Sequence, residues 1–143
     1  MSEGTVVQLL TWHIENQLFG MKLDECQEVN VGKKILSVPH SEKRLAGIAN
    51  LRGEVVTVVD LRILLGRQPS DSSDFVIINL KSQEQKLALK ADRIHDIIEV
   101  DPGRIEPAPS HLEASEARFI SSVVMTEKGL ALLLDYQEIM KLG

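Results

Sequence analysis

Leu9, Thr11 and His13 alternate with Leu10, Trp12 and Ile14, the period of two that a strand imposes, and Asn16-Gln17 supplies a turn after them. Phe19, Met21 and Leu23 resume the alternation as the inward set of a second strand. Val55 to Val59 is a β-branched run long enough for one buried strand. Asp60 then stands where a helix needs an N-cap, Leu61 to Leu65 follow, and Gly66 occupies the C′ position, so the pattern predicts a helix of one or two turns. Leu130 to Leu134 and Asp135 repeat this order of strand and cap, with Glu138 placed to complete a capping box. Ser110 and Glu113 offer another such box before a short helix.

These stretches form an internal repeat. Gln17 to Val29 (QLFGMKLDECQEV) aligns with Gln85 to Ile97 (QKLALKADRIHDI), placing Lys22 on Lys90, Asp24 on Asp92 and Glu28 on Asp96. The strand-and-cap segments align in the same order, Asp60 on Asp135, at an offset of 75 positions rather than 68. Two matches in one order predict a duplicated unit of about seventy residues. Arg67 to Asp74 (RQPSDSSD) is the most linker-like stretch, which divides the chain into a first part over 17–74 and a second over 75–143, with the strand within 5–15 free to join either. Asp101 to Pro109, rich in proline, predicts an ordered or extended loop. Many short strands with few helices predict a mostly β fold of two small barrels side by side along an apolar seam.

Composition narrows the function. In 143 residues, 43% are apolar but only 3% aromatic, so the core must be built from Val, Ile and Leu. A net charge of −5 repels a phosphate backbone and argues against nucleic acid. No apolar run is long enough to span a bilayer, and Met1-Ser2-Glu3-Gly4 does not resemble a signal peptide, so a cytoplasmic protein without membrane insertion is expected. One cysteine, Cys26, excludes an internal disulfide and a cysteine-based metal site.

Candidate chemistry is thin. His13, His40, His95 and His111 are scattered; His13 and Glu15 share a strand face, but two ligands make no site, and a solvated face is the better reading. Cys26 has no base beside it in sequence and reads as a buried, inert thiol. No nucleophile elbow or phosphate loop occurs, and Glu84 and Glu127 fall in expected turns. No acid, base and oxyanion site assemble, so no enzyme, cofactor or metal is expected. A small-barrel ligand-binding protein or enzyme remains the alternative from another class.

Leu45 to Gly66 reads LAGIANLRGEVVTVVDLRILLG. Its block Gly47-Ile48-Ala49-Asn50-Leu51-Arg52-Gly53, followed by a hydrophobic strand ending in Asp60-Leu61-Arg62, resembles the signature of CheW-like domains. Phe19-Gly20-Met21, Gln27-Glu28-Val29, Ala91-Asp92-Arg93-Ile94, Ile105-Glu106-Pro107-Ala108-Pro109 and Leu132-Leu133-Leu134-Asp135 extend the resemblance over nearly the whole chain. Thr57, where proline is common, and Ser121-Ser122, in place of a small-glycine step, depart from the family pattern.

The resemblance implies two five-stranded SH3-like β-barrels with short helices after Asp60 and Asp135. It also implies a non-catalytic adaptor, joining the cytoplasmic tip of methyl-accepting chemoreceptors to the regulatory domain of the histidine kinase CheA. Flagellar chemotaxis is the leading setting, with a gliding or pilus system as the alternative. Arg52 and Glu28 would meet near the receptor-binding groove, as a charge-assisted pair that either contacts the partner or only holds the barrel. Cys26, Gly47, Ile48, Asn50 and Gly53 match positions near that groove, and Asp92 its second-barrel side. Lys34, Ile35, Leu36 and Val38, with the Lys43-Arg44 turn, are the candidates for the kinase-facing surface. Gly53 is expected to supply a positive φ in the hairpin between Leu51 and Val55.

Overall fold

The computed structural model describes residues 5–39, 41–82, 85–110, 112 and 114–142. The alternating stretches fold into strands: β1 (Val7–Ile14), β2 (Gln17–Lys22), β3 (Cys26–Val31), β4 (Leu45–Leu51), β5 (Glu54–Asp60), β6 (Val76–Leu80), β7 (Leu87–Ala91), β8 (Arg93–Val100), β9 (Glu106–Pro107), β10 (Ile120–Thr126) and β11 (Gly129–Leu134). Three short α-helices accompany them, α1 (Leu61–Leu64), α2 (Ala114–Phe119) and α3 (Tyr136–Met140), with 3-10 turns at Leu23–Glu25 and Pro102–Arg104. The first turn falls one residue earlier than the sequence suggests. Gln17 already pairs with Ile14, so the reversal is made by Glu15-Asn16, with Glu15 at φ 57.

The predicted caps form. The Asp60 carboxylate accepts from the Arg62 N–H at 3.0 Å, and Gly66, at φ 75, closes α1 with its N–H donating to the Ile63 carbonyl. Asp135 accepts from the Glu138 N–H at 3.2 Å. The box is only half closed, because the Asp135 N–H donates to the Phe119 carbonyl while the Glu138 carboxylate faces Lys141 and Arg118. The box expected from Ser110 and Glu113 involves a residue outside those described.

The strands build two sheets, one in the order β8-β1-β2-β11-β10-β9 and the other β3-β6-β7-β5-β4. The fold is thus mostly β, and the six-stranded sheet adds to its expected five strands only the two-residue β9. Aligning β3 with β8, β6 with β1, β7 with β2, β5 with β11 and β4 with β10 superposes the two orders, which is the duplication read from the sequence. The repeats are nevertheless interwoven. β6 and β7 follow the linker yet lie with β3–β5, through a parallel pairing of β7 with β5; β1 and β2 lie with β8–β11, through a parallel pairing of β2 with β11. Sheet membership therefore changes at Leu23–Glu25 and again at Asp92, not along Arg67 to Asp74. A linker marks where the chain is least ordered by its neighbours, whereas strand pairing is decided by which apolar edges meet.

Three cores result. Ala49, Val56, Val58, Ile77 and Ala88 fill the five-stranded sheet, and Leu9, Leu18, Val124, Ala131 and Leu133 the six-stranded one. The pairs Ala49/Val124, Val56/Ala131 and Val58/Leu133 occupy repeat-equivalent positions. The third core lies between the sheets, where Trp12, Phe19 and Met21 meet Val59, Ile78, Leu87 and Leu89. The run Val55 to Val59 is not buried throughout: Val55, at the hairpin end, is 60% exposed.

Candidate protein-docking site

The β4–β5 hairpin turns through Arg52 and Gly53, at φ 54 and φ 80. Two consecutive positive φ values are the mark of a type I′ turn, whose twist matches that of the strands it joins. Gly53 takes this conformation freely, as the sequence suggests; Arg52 takes it at a cost of about 1 kcal/mol. Asn50 supports the turn, its Oδ1 accepting from the Gly53 N–H at 3.0 Å. Arg52 is held by a contact to β3: its Nε lies 2.8 Å from Glu28 Oε2. β3 and β4 are the opposite edges of their sheet, so this ion pair links one edge to the hairpin at the other. The Arg52 side chain is still 81% exposed, against 17% for Glu28. An exposed pair of this kind contributes about 0.2–1 kcal/mol. The turn thus presents a positioned guanidinium to solvent, at a backbone cost that the pair roughly offsets. A bulge between Cys26 and Glu28 in the β3–β6 ladder helps set the direction of β3 side chains.

Gly47 and Ile48 lie on β4, where the chain after β3 returns along the strand edge. The Leu36 N–H donates to the Ile48 carbonyl at 2.8 Å, and the Ile48 N–H to the Leu36 carbonyl at 2.9 Å. Gly47, at φ 144, lets this segment pass, since a Cβ there would lie 2.7 Å from the Leu36 carbonyl carbon and 2.9 Å from Ser37 Cα. Around this crossing lie the residues proposed to face the kinase. Leu36 is 69% exposed, Val38 is also exposed, Ile35 is half-buried against the Ala49–Val58 core, and Lys34 and Lys43 point to solvent. Arg44 is drawn back, its Nε 2.7 Å from Glu42 and its carbonyl accepting from the Asp60 N–H. His40, beside them in sequence, lies outside the described residues.

Cys26 is buried, its Sγ 3.6 Å from the Lys22 carbonyl, and burial pushes its thiol up to about 12. It therefore behaves as a small apolar residue, lining with Val7, Lys22, Gln27 and Lys81 a cleft of about 610 Å³. Asp92 is engaged elsewhere. Its two carboxylate oxygens take Nε and a terminal nitrogen of Arg62 at 2.9 and 2.6 Å, and one also accepts from the Glu15 N–H at 2.7 Å. Glu15 and Arg67 extend this network to Glu116. The sequence reading missed the pairing; Arg62 stood in the signature, yet nothing in one sequence linked it to a carboxylate beyond the linker. Burial raises the Asp92 pKa, but the Arg62 hydrogen bond, the Glu15 N–H and the charges of Arg62 and Arg93 together leave it below the ordinary value. The folded carboxyl then binds protons less readily than the unfolded one. Its contribution is complete above the ordinary carboxylate pKa and disappears as pH falls through the lowered one. Acid-unfolding curves of Arg62→Met are expected to lose that part of the pH dependence; an unchanged curve would show that Arg62 does not hold Asp92 in solution.

Among the described residues no three His, Cys, Asp or Glu side chains gather so as to hold a metal ion, and no helix is long and apolar enough to cross a membrane. What the surface does offer is an arginine held out at a turn, with apolar side chains left exposed at Val55, just past the turn, and at Val29 and Val31 on β3, the strand that carries Glu28. The family profile that matches the chain, over residues 8–142, is that of the CheW-like domain. The chain belongs to this family. A probable chemotaxis protein CheW of Rhizobium etli is 27% identical over 131 residues, covering 91% of this chain and 84% of the relative. The chemotaxis protein CheW of Treponema pallidum is 26% identical over 139 residues, covering 92% and 81%. Among solved structures, the scaffolding protein TtCheW of Thermoanaerobacter tengcongensis superposes with a TM-score of 0.81 at 25% identity, over 92% of this chain and 90% of that one. Family and structural likeness agree on a CheW-type chemotaxis adaptor with a mostly β, two-sheet fold.

Proposed function

We propose that this chain is a non-catalytic cytoplasmic adaptor that couples the tips of methyl-accepting chemoreceptors to the regulatory domain of the kinase CheA. The observation that carries the reading is Arg52, held at a positive φ with its guanidinium 2.8 Å from Glu28 and largely in solvent. A guanidinium fixed by one nitrogen has further donors free for a carboxylate or backbone carbonyl on a helical partner. Cys26, Gly47, Ile48, Asn50 and Gly53 shape the strands around it, and Asp92 acts through Arg62. Lys34, Ile35, Leu36, Val38 and Lys43, with Arg44 behind them, form the kinase-facing side. Two faces on one rigid body would hold two partners in fixed relation, so that a change at the receptor alters kinase output without any reaction on the adaptor.

The test separates contact from scaffolding. Arg52→Asn keeps a residue that tolerates a positive φ and removes the fork. Binding to a receptor-tip fragment, measured by titration calorimetry, should weaken about tenfold, or ~1.4 kcal/mol. Folding stability should stay within about 1 kcal/mol, because the pair is exposed, and binding to the CheA regulatory domain should be unchanged. Unaltered receptor binding would reduce Arg52 to a strand tie, and failure of the parent protein to bind either partner would remove the adaptor reading.

A further inference from the structure

Two histidines far apart in sequence meet on the outer ladder of the six-stranded sheet. β8 is the last strand on its side of that sheet and pairs only with β1. Trp12 pairs with Ile94 and Thr11 with Asp96, so His95 is an extra residue inserted into β8, a bulge. The bulge brings the His95 ring against His13, with centroids 5.3 Å apart and the planes at 86°. The buried Thr11 hydroxyl, two residues before His13 on β1, ties down the bulge, donating to the Asp96 carbonyl at 2.6 Å and accepting from the Asp96 N–H at 3.2 Å. His13 Nδ1 is buried and has no hydrogen-bond partner among the described residues.

The charges around the pair are unevenly set. Arg93 is directly opposite His13 in the register, and His95 lies beside it. The one carboxylate acting on His13, Asp92, is already occupied by Arg62 and the Glu15 N–H, while Glu15 itself faces Arg67 and Arg62. On the β2 side His13 faces Leu18, an apolar neighbour. A proton taken up here gains little and meets Arg93 and a second imidazole.

We propose that the His13–His95 bulge is a proton-sensitive joint, which loosens the β8 edge from β1 when His13 takes up a proton. The direction of the His13 titration agrees: burial, Arg93 and His95 hold it below the ordinary histidine value of 6.5 against the opposing Asp92. With a lowered folded pKa, the joint is fully stabilised above the unfolded value and weakens as pH falls through the folded one. Because Asp92 immediately precedes β8 and holds Arg62 of α1, loosening the strand also loosens the clamp on that helix.

Backbone amide exchange, corrected for intrinsic rates, can localise the effect. From pH 7.5 to 5.0, amides of Ile94 to Ile97 should lose about tenfold more protection than those of β6, the repeat-equivalent of β1. His13→Gln and His95→Gln should each abolish the excess. Equal loss in both sheets, or an excess that survives both substitutions, would overturn the proposal. Should either variant fail to fold at pH 7.5, the imidazole titration of the parent protein by NMR decides. A His13 midpoint below 6.5 supports the joint, and one at or above 6.5 refutes it.

Discussion

Gly47→Ala is expected to destabilise the protein by about 2–4 kcal/mol, out of all proportion to one methyl group. Two penalties combine. The backbone at φ 144 lies where an L side chain is strained, and the new Cβ would press on the backbone of Leu36 and Ser37, not on a side chain that could turn aside. Relief requires the Leu36 segment to lift, breaking both of its hydrogen bonds to Ile48. The lifted segment carries Lys34, Ile35, Leu36 and Val38, so loss of stability should be accompanied by new protease cleavage within 33–39 and, on the proposed kinase-facing assignment, by loss of CheA binding. Gly53→Ala provides the contrast. Its φ of 80 is also unfavourable, but a Cβ there meets nothing within 4 Å, so about 1 kcal/mol is expected. Urea unfolding of both variants measures the difference. If Gly47→Ala cost no more than Gly53→Ala, the close passage of Leu36 over β4 would not exist in solution.

That crossing also shows where a single sequence stops being legible. Local signals are legible: Asp60 and Asp135 cap helices because a short carboxylate before an apolar turn has few other uses, and Gly66 ends α1 at the positive φ its position demands. The duplication was visible because the two units bury the same kind of residue at equivalent strand positions. What escaped was long-range pairing. Nothing local to Val76–Leu80 says that it lies between β3 and β7, since all five of its residues are buried, Asn79 included, and a strand without polar alternation carries no preferred face. At the candidate site, Arg52 and Glu28 came together as the family resemblance implied. Their spacing alone would not have shown it, nor that Arg52 would take a positive φ. The resemblance sets Gly47 near the receptor-binding groove, and its visible task is to admit the Leu36 segment. The resemblance sets Asp92 on the second-barrel side of that groove, and its visible partner is Arg62. His13 and His95 look scattered in the sequence because a bulge leaves no mark in periodicity.

Phe19→Ala should remove about 3–5 kcal/mol of folding free energy, a large share of the ~5–15 kcal/mol typical of a domain. Phe19 is fully buried, paired with Trp12 on β1 and Leu132 on β11, in the core between the sheets. The guanidinium of Arg67 lies 5.5 Å from its ring centroid, and the buried Arg67 Nε has no hydrogen-bond partner among the described residues. Truncation would therefore leave both a cavity and an arginine deprived of its aromatic contact. The form of the transition matters as much as its midpoint. Each sheet contains strands from both repeats, so neither can dissolve without unpairing β2 from β11 or β7 from β5. Trp12, the only tryptophan, reports on the junction, and far-UV circular dichroism reports on all strands. In urea the two signals should move together in the parent protein and, at lower denaturant, in Phe19→Ala. A variant in which Trp12 fluorescence changed well before the circular dichroism would show that the junction can open while both sheets persist. In that event the interwoven hairpins would not couple the two halves, and the fixed geometry required of an adaptor would have to come from its partners.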